Sequence, residues 1–222
     1  YDWMRFLRRA GLHGVLADDM GLGKTHQCMA LLLSLYEEGV KRPSLVVCPT
    51  SVLDPWMDKM RQYAPGLRPY KYYGPDRKSE ALTLPGMRVV LTTYNTMIRD
   101  IEPLMNIEWE TVVLDEAQYI KTATTQFTRA AKQLRAGTRF ALSGTPIENR
   151  LDELWSLMDF VLPGHLGTFE QFRKQFEIPI MKEEDGGALA RLKKLIAPFK
   201  LRRVKSEVLA DLPPKVEDYR FC

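Results

Sequence analysis

A glycine-rich turn followed by lysine and threonine lies near the start of the chain. The sequence from Asp18 to Thr25 reads DDMGLGKT, close to the phosphate-binding pattern G-x-x-x-x-G-K-[ST], except that Asp18 occupies the leading glycine position. In such a turn the backbone N–H groups at Gly21 and Gly23 would meet phosphate oxygens, and Lys24 would neutralise their charge. The Thr25 hydroxyl would hold Mg²⁺. A chance glycine-lysine turn is the alternative, and the surrounding elements must decide between the two.

Two adjacent carboxylates, Asp115 and Glu116, end another apolar run in the sequence VVLDEAQ. In a phosphate-loop enzyme an acid at the end of a neighbouring strand reaches the Mg²⁺ shell, so Asp115 is the predicted metal partner. Glu116 is the candidate that orients and activates the attacking water. The alternative is an acidic helix N-cap, which the helix dipole favours. Together with the lysine turn, the pair favours the catalytic interpretation.

A third polar segment, LSGTPIENR, spans residues 142–150. Small hydroxyl residues and a glycine again end an apolar run here. Because glycine and proline mark turns in most proteins, these residues alone predict no more than a turn.

Five apolar runs must position these sites. Their Val and Leu residues do not alternate with polar ones, which suits strands of a parallel sheet covered on both faces. Between the runs, residues 25–39 and 124–137 show helical spacing and a glycine stop. Alternating strands and helices predict a doubly wound α/β domain, whose ligands bind at the carboxyl ends of the strands. The five runs are residues 13–18, 43–49, 88–93, 111–116 and 138–146.

After residue 150 the pattern changes to that of amphipathic helices. These are predicted over residues 151–164, 169–177 and 188–209, the last of them broken at Pro198. The predicted units are therefore an α/β lobe over residues 1–150, an appended helical subdomain over 151–209, and a return segment over 210–222 in which YRF begins a strand.

The composition is that of an ordinary globular protein and excludes several classes of function. The 222 residues are 45% hydrophobic and 27% charged, and no run approaches the roughly 18–20 apolar residues that cross a bilayer. The net charge of +4 permits contact with nucleic acid without arguing for it. The cysteines Cys28, Cys48 and Cys222 are widely spaced, so we expect reduced thiols and no zinc pair. No secretion signal is visible, and an opening at Tyr1 without methionine suggests a fragment of a longer protein.

Six blocks resemble, in order and spacing, the Swi/Snf-related ATPases, which are double-stranded-DNA translocases among the superfamily-two helicase-like motors. The blocks are DDMGLGKT, CPTSVLDPW, LTTYNTM, LDEAQYIK, LSGTPIENRLDELWSLMDFVLPG and FKLRRVKSEVLADLPPK, and they cover nearly the whole chain. The segments SGTPIENRLDELW and KQFEIPI resemble bacterial members. In this family an aspartate is normal at the position of Asp18, which favours a genuine phosphate cradle. The resemblance implies a RecA-like phosphate-loop NTPase fold, with this chain as the first lobe and its helical protrusion.

The resemblance also assigns roles to individual positions. Gln118 stands where many relatives have histidine, which bears on how hydrolysis is sensed. The implied catalytic residues are Lys24, Asp115, Glu116 and Gln118. The implied nucleotide-binding residues are Asp19, Met20, Gly21, Leu22, Gly23, Lys24, Thr25 and His26, with Thr25 and Asp115 as magnesium ligands. The implied DNA-backbone contacts are Thr50, Ser51, Thr92, Thr93 and Tyr94, and the residues that couple nucleotide state to DNA grip are Ser143, Gly144 and Thr145.

The implied cofactors are ATP and Mg²⁺, and the implied partner is duplex DNA held by its backbone phosphates. A protein–DNA complex containing RNA polymerase or a nucleoid protein is a further expected partner; no membrane is expected, and the expected location is cytoplasmic and nucleoid-associated. Motors of this family place ATP between two RecA-like lobes, and no second set of strands and helices follows LADLPPK. A second lobe is therefore expected in cis. Residues 1–222 alone would bind ATP weakly and hydrolyse it little, because the second lobe supplies the arginine fingers.

Several alternatives stand beside this interpretation. The basic segments 191–194 and 200–205 suit either solvated faces or DNA-backbone contacts, with Arg202 or Arg203 as candidates for the latter. The alternative function is a nucleotide-dependent DNA-binding module that does not hydrolyse, against which the intact catalytic residues argue. An unrelated phosphate-loop kinase or GTPase is a third, and we find no N-K-x-D-like guanine-reading motif.

Overall fold

The computed structural model describes residues 1–122, 124–144 and 150–208, except for the side chain of Lys78. In these residues the strands are β1 (Gly14–Leu16), β2 (Ser44–Cys48), β3 (Tyr70–Lys71), β4 (Val89–Thr93), β5 (Glu108–Leu114), β6 (Arg135–Leu142) and β7 (Lys200–Leu201). They form one sheet in the order β3-β4-β2-β5-β6-β1-β7, and every neighbouring pair is parallel. The predicted α/β class is confirmed, and the five predicted apolar runs contain β1, β2 and β4 and parts of β5 and β6.

The strands lack an apolar–polar alternation because both faces of the sheet are covered. Successive residues of β2 show this directly: Leu45 and Val47 belong to one buried apolar cluster, and Val46 and Cys48 belong to another. A strand whose side chains enter two cores has no solvent-facing positions for polar residues.

Helices on the two faces supply these cores. Met4 of the first helix and Leu31 of the second pack in one cluster, while Met97 and Phe160 pack in the other. None of the helices described here combines the length and apolarity needed to cross a bilayer. They are α1 (Asp2–Arg9), α2 (Lys24–Glu37), α3 (Thr50–Tyr63), α4 (Arg77–Glu80), α5 (Tyr94–Arg99), α6 (Ile101–Met105), α7 (Gln126–Gln133), α8 (Leu151–Val161), α9 (Phe169–Phe172), α10 (Ile178–Lys182), α11 (Gly186–Ile196) and α12 (Lys205–Val208). Short 3₁₀ turns lie at Pro65–Leu67, Ala81–Gly86, Ala117–Ile120 and Ala197–Phe199, and a π-helical turn lies at Arg173–Glu177.

The helix predicted over residues 124–137 is shorter than expected. It ends at Gln133, and β6 begins at Arg135, which pairs with Glu108 of β5. Gly137 therefore lies within a strand instead of stopping a helix. Pairing with β5 satisfies the backbone groups of this segment, whereas a glycine inside a helix costs about 1 kcal/mol relative to alanine.

The first helix after residue 150 packs against the sheet itself. Leu154 and Phe160 of α8 lie in the same apolar cluster as Val112 of β5. The Ser156 hydroxyl also donates a hydrogen bond of 2.5 Å to the main-chain oxygen of Ile120. The division into a lobe over 1–150 and a protrusion over 151–209 stays a prediction.

The helical interpretation of residues 188–209 is wrong between α11 and α12, although residues 205–208 are helical. Helix α11 ends at Ile196, and after a 3₁₀ turn the chain forms β7 beside β1. Without β7 this edge of β1 would leave backbone groups unpaired, and the Ala17 N–H donates to Leu201 O at 2.7 Å. Main-chain pairing here overrides helix propensity. The return strand predicted within residues 210–222 lies outside the described residues, as does Leu209 at the end of the predicted helix.

Candidate active site

The phosphate loop connects β1 to α2 at the carboxyl edge of the sheet. Gly21 and Gly23 have φ angles of +89° and +76°, a left-handed backbone that glycine adopts without a steric penalty. Gly23 is the N-cap of α2, so the loop ends where the unpaired N–H groups of a 14-residue helix begin. A loop of this shape followed by a helix N-terminus binds anions.

The Lys24 side chain folds back over this loop. Its Nζ donates to the main-chain oxygens of Asp18 at 2.6 Å and Asp19 at 3.2 Å. Burial lowers the pKa of Lys24, while the nearby carboxylates, Glu116 first among them, oppose that change. A lysine held beside the loop in this way meets the chemical requirement of a phosphate counter-charge.

Asp115 follows β5 directly and is buried in a network of donors. Its Oδ2 accepts from Trp56 Nε1 at 2.7 Å, and its Oδ1 accepts from the Glu116 N–H at 3.0 Å. The Tyr94 hydroxyl donates to the main-chain oxygen of Asp115 at 2.8 Å. Burial raises the pKa of Asp115, and the bond from Trp56 opposes this by favouring the charged form. The carboxylate is thus fixed in position.

Glu116 adopts an uncommon backbone conformation, with a φ of +49°. Gln118 Nε2 donates to Glu116 Oε2 at 2.8 Å, which fixes the direction of the carboxylate. The buried Oε1 of Gln118 has no hydrogen-bond partner in the described residues.

An open cavity of about 260 Å³ brings the predicted residues together. The sides of this cavity come from the phosphate loop, the start of α2, one face of α3 and the acid pair. Its lining residues are Met20, Gly21, Gly23, Lys24, Thr25, His26, Val52, Pro55, Trp56, Lys59, Asp115 and Glu116. Asp19 and Leu22, also predicted to bind nucleotide, are not among them.

The donor set of this cavity fits a magnesium nucleotide. Hydroxyl and carboxylate oxygens, as on Thr25 and Asp115, are the ligands that Mg²⁺ prefers, and both side chains line the same cavity. Lys24 supplies a positive charge there, and Gly23, which also lines the cavity, has open space where a Cβ would lie. These residues would hold the β- and γ-phosphates and their metal ion.

The residues predicted to contact DNA fall into two groups. Thr50 and Ser51 are exposed in the first turn of α3. Thr92, Thr93 and Tyr94 are no more than 2% exposed. The Thr92 hydroxyl donates to Tyr72 O at 2.9 Å, and the Thr93 hydroxyl caps α5. The side chains of the second group are therefore occupied within the protein, and their role at DNA stays a prediction.

Two of the three predicted coupling residues adjoin the phosphate loop. The Ser143 N–H donates to Leu16 O at 3.0 Å. A Cβ added at Gly144 would lie 2.8 Å from Met20 Cγ and 3.5 Å from Lys24 Nζ, so glycine permits this close approach. Thr145 lies outside the described residues.

Sequence reasoning missed two contacts of this site. Trp56, interpreted as a core residue, also donates to Asp115. Arg203, a candidate DNA contact, forms an ion pair with Asp18, and its role at DNA stays a prediction. The sequence did show an aromatic residue within CPTSVLDPW and a basic run after α11. Neither feature identifies the residue that it contacts.

The family model of the SNF2-related domain matches residues 1–222, the whole chain. The chain belongs to the SNF2-related family. YwqA of Bacillus subtilis (strain 168) is 44% identical over 99% of this chain and 24% of its own length. TATA-binding protein-associated factor mot1 of Schizosaccharomyces pombe is 41% identical over 100% of this chain and 13% of its own length. The chain therefore spans a quarter or less of these two SNF2-related relatives.

The fold is compared with that of a solved structure. The SWI2/SNF2 ATPase core of Sulfolobus solfataricus in complex with double-stranded DNA is 43% identical, with a TM-score of 0.89 over 96% of this chain and 45% of that one. The RecA-like fold expected for an SNF2-related chain is confirmed. The resemblance to bacterial members stays a prediction, because bacterial, fungal and archaeal relatives match at similar identity.

Proposed function

We propose that this SNF2-related chain is the ATP-binding lobe of an ATP-dependent motor that translocates on double-stranded DNA or remodels protein–DNA complexes. The observation that carries the proposal is the cavity that joins Lys24 and Thr25 to Asp115 and Glu116. Four groups from two distant parts of the sequence converge there, each of a type that phosphoanhydride hydrolysis requires.

Each of these side chains has a distinct task in the proposed reaction. Lys24 would bind the β- and γ-phosphate oxygens of the nucleotide, and Thr25 and Asp115 would hold Mg²⁺. Bound Mg-ATP supplies the phosphoanhydride bond that is cleaved. Glu116 orients the attacking water and accepts its proton, and Gln118 fixes the direction of the Glu116 carboxylate.

The proposed DNA contact lies at the N-terminus of α3. Thr50 and Ser51 present exposed hydroxyls and the first N–H groups of a 14-residue helix. Such groups hold phosphate without reading sequence. The similar archaeal ATPase core was solved with double-stranded DNA, which supports a duplex as the substrate.

A Thr50→Ala, Ser51→Ala double variant is expected to weaken duplex binding about 3- to 10-fold for all sequences, whereas Thr83→Ala, at an exposed hydroxyl elsewhere, leaves it unchanged.

Hydrolysis by residues 1–222 alone is proposed to be slow. Among the described residues that line the cavity there is no arginine, and arginine fingers contribute about 10³- to 10⁵-fold in related phosphoryl-transfer enzymes. We propose that a second RecA-like lobe in cis supplies them, and that ATP binds weakly without it.

The deciding experiment is an ATPase assay of the full-length protein with no DNA, with single-stranded DNA and with duplex DNA. A motor of the proposed type is stimulated most by duplex. Glu116→Gln should abolish turnover while Mg-ATP still binds, and Glu102→Gln, the same charge change at an exposed site on α6, should have no effect. DNA binding and remodelling that are indifferent to Glu116→Gln would instead establish the non-hydrolysing module.

A further inference from the structure

The segment that follows the appended helices runs along the phosphate loop and is bonded to it. We call residues 200–205 the clamp segment. Leu201 O accepts from the Ala17 N–H at 2.7 Å, and Arg203 O accepts from the Asp19 N–H at 3.0 Å. The Lys205 N–H donates to Asp19 Oδ2 at 3.1 Å. Alternate residues of an extended segment thus face the loop, as they would in a strand.

The strongest of these attachments is the ion pair between Arg203 and Asp18. Asp18 is 0% exposed, and both of its carboxylate oxygens lie 3.2 Å from Arg203 Nε. Arg203 Nη2 donates to Asp18 Oδ2 as well, and the Arg203 N–H donates to Oδ1 at 3.0 Å. Gln27 closes the network, because its Nε2 donates to Asp18 Oδ2 at 3.3 Å and its Oε1 accepts from Arg203 Nη2 at 3.0 Å. A buried carboxylate with this many donors is held in one position, and loss of its partner leaves an uncompensated charge.

Asp18 connects the clamp segment to the phosphate-binding lysine. Its side chain binds Arg203, and its main-chain oxygen accepts from Lys24 Nζ at 2.6 Å. A shift of Arg203 would therefore move the backbone on which Lys24 rests. In the general phosphate-loop pattern the leading position is a glycine. In this chain that position is Asp18, which connects the loop to the clamp segment.

Lys205 places a second ammonium group beside the loop. A Cβ added at Gly21 would lie 3.6 Å from Lys205 Nζ and 3.5 Å from its Cε. Gly21 lines the cavity, and its positive φ shapes the loop. A cation at this point is attracted to phosphate oxygens bound by the loop.

We propose, on the basis of the proposed nucleotide site, that the clamp segment sets the affinity of the phosphate loop for Mg-ATP. Arg203 is a positioning residue that acts through Asp18, and Lys205 adds positive charge next to the bound triphosphate. Because the clamp segment follows α11 and its 3₁₀ turn, a movement of the appended helices changes nucleotide affinity. By linkage, bound nucleotide in turn stabilises the docked clamp segment.

The test is titration calorimetry of Mg-ATP binding to the full-length Glu116→Gln protein, together with steady-state ATPase kinetics of the same clamp variants without that change. Arg203→Gln is expected to weaken binding about tenfold and to raise KM more than it lowers kcat. Arg203→Lys should recover part of the affinity. Lys205→Gln is expected to weaken binding about threefold, and this effect should shrink at high salt because the charge is screened. Lys193→Gln, an equal charge change at an exposed site on α11, is the control.

A double variant separates the proposed coupling from simple unfolding. Asp18→Asn with Arg203→Gln leaves no unpaired buried charge, so it should bind Mg-ATP no more weakly than Arg203→Gln alone. Circular dichroism melts establish that each variant is folded. Wild-type affinity in a folded Arg203→Gln variant would overturn the clamp while the proposed function stands. Failure of the unmodified full-length protein to bind Mg-ATP would overturn both.

Discussion

Replacing Trp56 by phenylalanine tests whether the indole holds Asp115, the proposed magnesium ligand, in its charged form. Trp56 is 2% exposed and Asp115 is 8% exposed, and their bond of 2.7 Å joins a neutral donor to a carboxylate. Hydrogen bonds to charged groups contribute about 1.5–3 kcal/mol to stability, against about 0.5–1.5 kcal/mol for neutral pairs. Trp109 is a matched control, because it is 0% exposed and donates to the main-chain oxygen of Leu104 at 2.9 Å.

The two variants share the loss of an indole ring, so the difference between them isolates the charge on the acceptor. At neutral pH, Trp56→Phe is expected to lower the free energy of unfolding by about 1 kcal/mol more than Trp109→Phe does. Urea unfolding, monitored by circular dichroism, measures both values.

The pH dependence gives the sharper distinction. Burial raises the pKa of Asp115 above its ordinary value. Above that raised pKa the charged carboxylate lowers the stability of the folded protein. As the pH falls, Asp115 in the folded protein takes up its proton at a higher pH than an ordinary aspartate does. The bond from Trp56 offsets this cost only while the carboxylate is charged. As the pH falls through the raised pKa, the cost of Trp56→Phe should therefore decline towards that of Trp109→Phe, whose own cost stays constant. Equal costs at neutral pH, or parallel curves at all pH values, would refute the charge-assisted role of Trp56.

Three further predictions concern the same site and its surroundings. Lys24→Ala should abolish Mg-ATP binding in calorimetry and lower the melting temperature only slightly, because burial lowers the pKa of Lys24 and so works against its charged form in the folded protein. Retained binding would contradict the proposed role of Lys24. Gln118→Ala should lower kcat about tenfold at unchanged KM, because it releases the Glu116 carboxylate. Gln118→His keeps a hydrogen-bond donor and should retain most of the activity. A kcat for Gln118→Ala equal to that of the unmodified protein would contradict the positioning role of Gln118. The thiols of Cys28 and Cys48 are 0% exposed, and burial raises their pKa. Peptide mapping after treatment with a thiol reagent at about pH 8 should therefore find them modified only in denaturant. Modification of the folded chain would show that the sheet opens.

The central residues of the site were predictable because they lie at the end of, or in the loop after, a predicted strand. Lys24 and Thr25 come after β1, and Asp115 and Glu116 come after β5. The carboxyl ends of parallel strands meet at one edge of the sheet, so the strand pattern itself brings these side chains together. The same pattern predicted both covered faces of the sheet, as the two clusters around β2 show.

Contacts between distant segments were not predictable from local pattern. Trp56 and Asp115 are 59 residues apart, and Asp18 and Arg203 are 185 residues apart. The sequence shows an indole and a guanidinium, but their partners depend on how α3 and the clamp segment lie against the loop. The prediction of a helix directly after Pro198 was wrong for a related reason. Residues 200–201 pair with β1 as a strand, and β1 is far away in the sequence.

The sequence by itself determined the alternation of the five main strands with helices and the types of side chain near the strand ends, because hydrophobic periodicity and short motifs are local properties of the chain. Only the tertiary structure decided which groups support that chemistry. Thr92 and Thr93 illustrate the difference, since their hydroxyls suit phosphate contacts by type but lie buried and bonded within the protein. Burial and partner choice depend on the packing of segments far apart in the chain, and no local pattern encodes them.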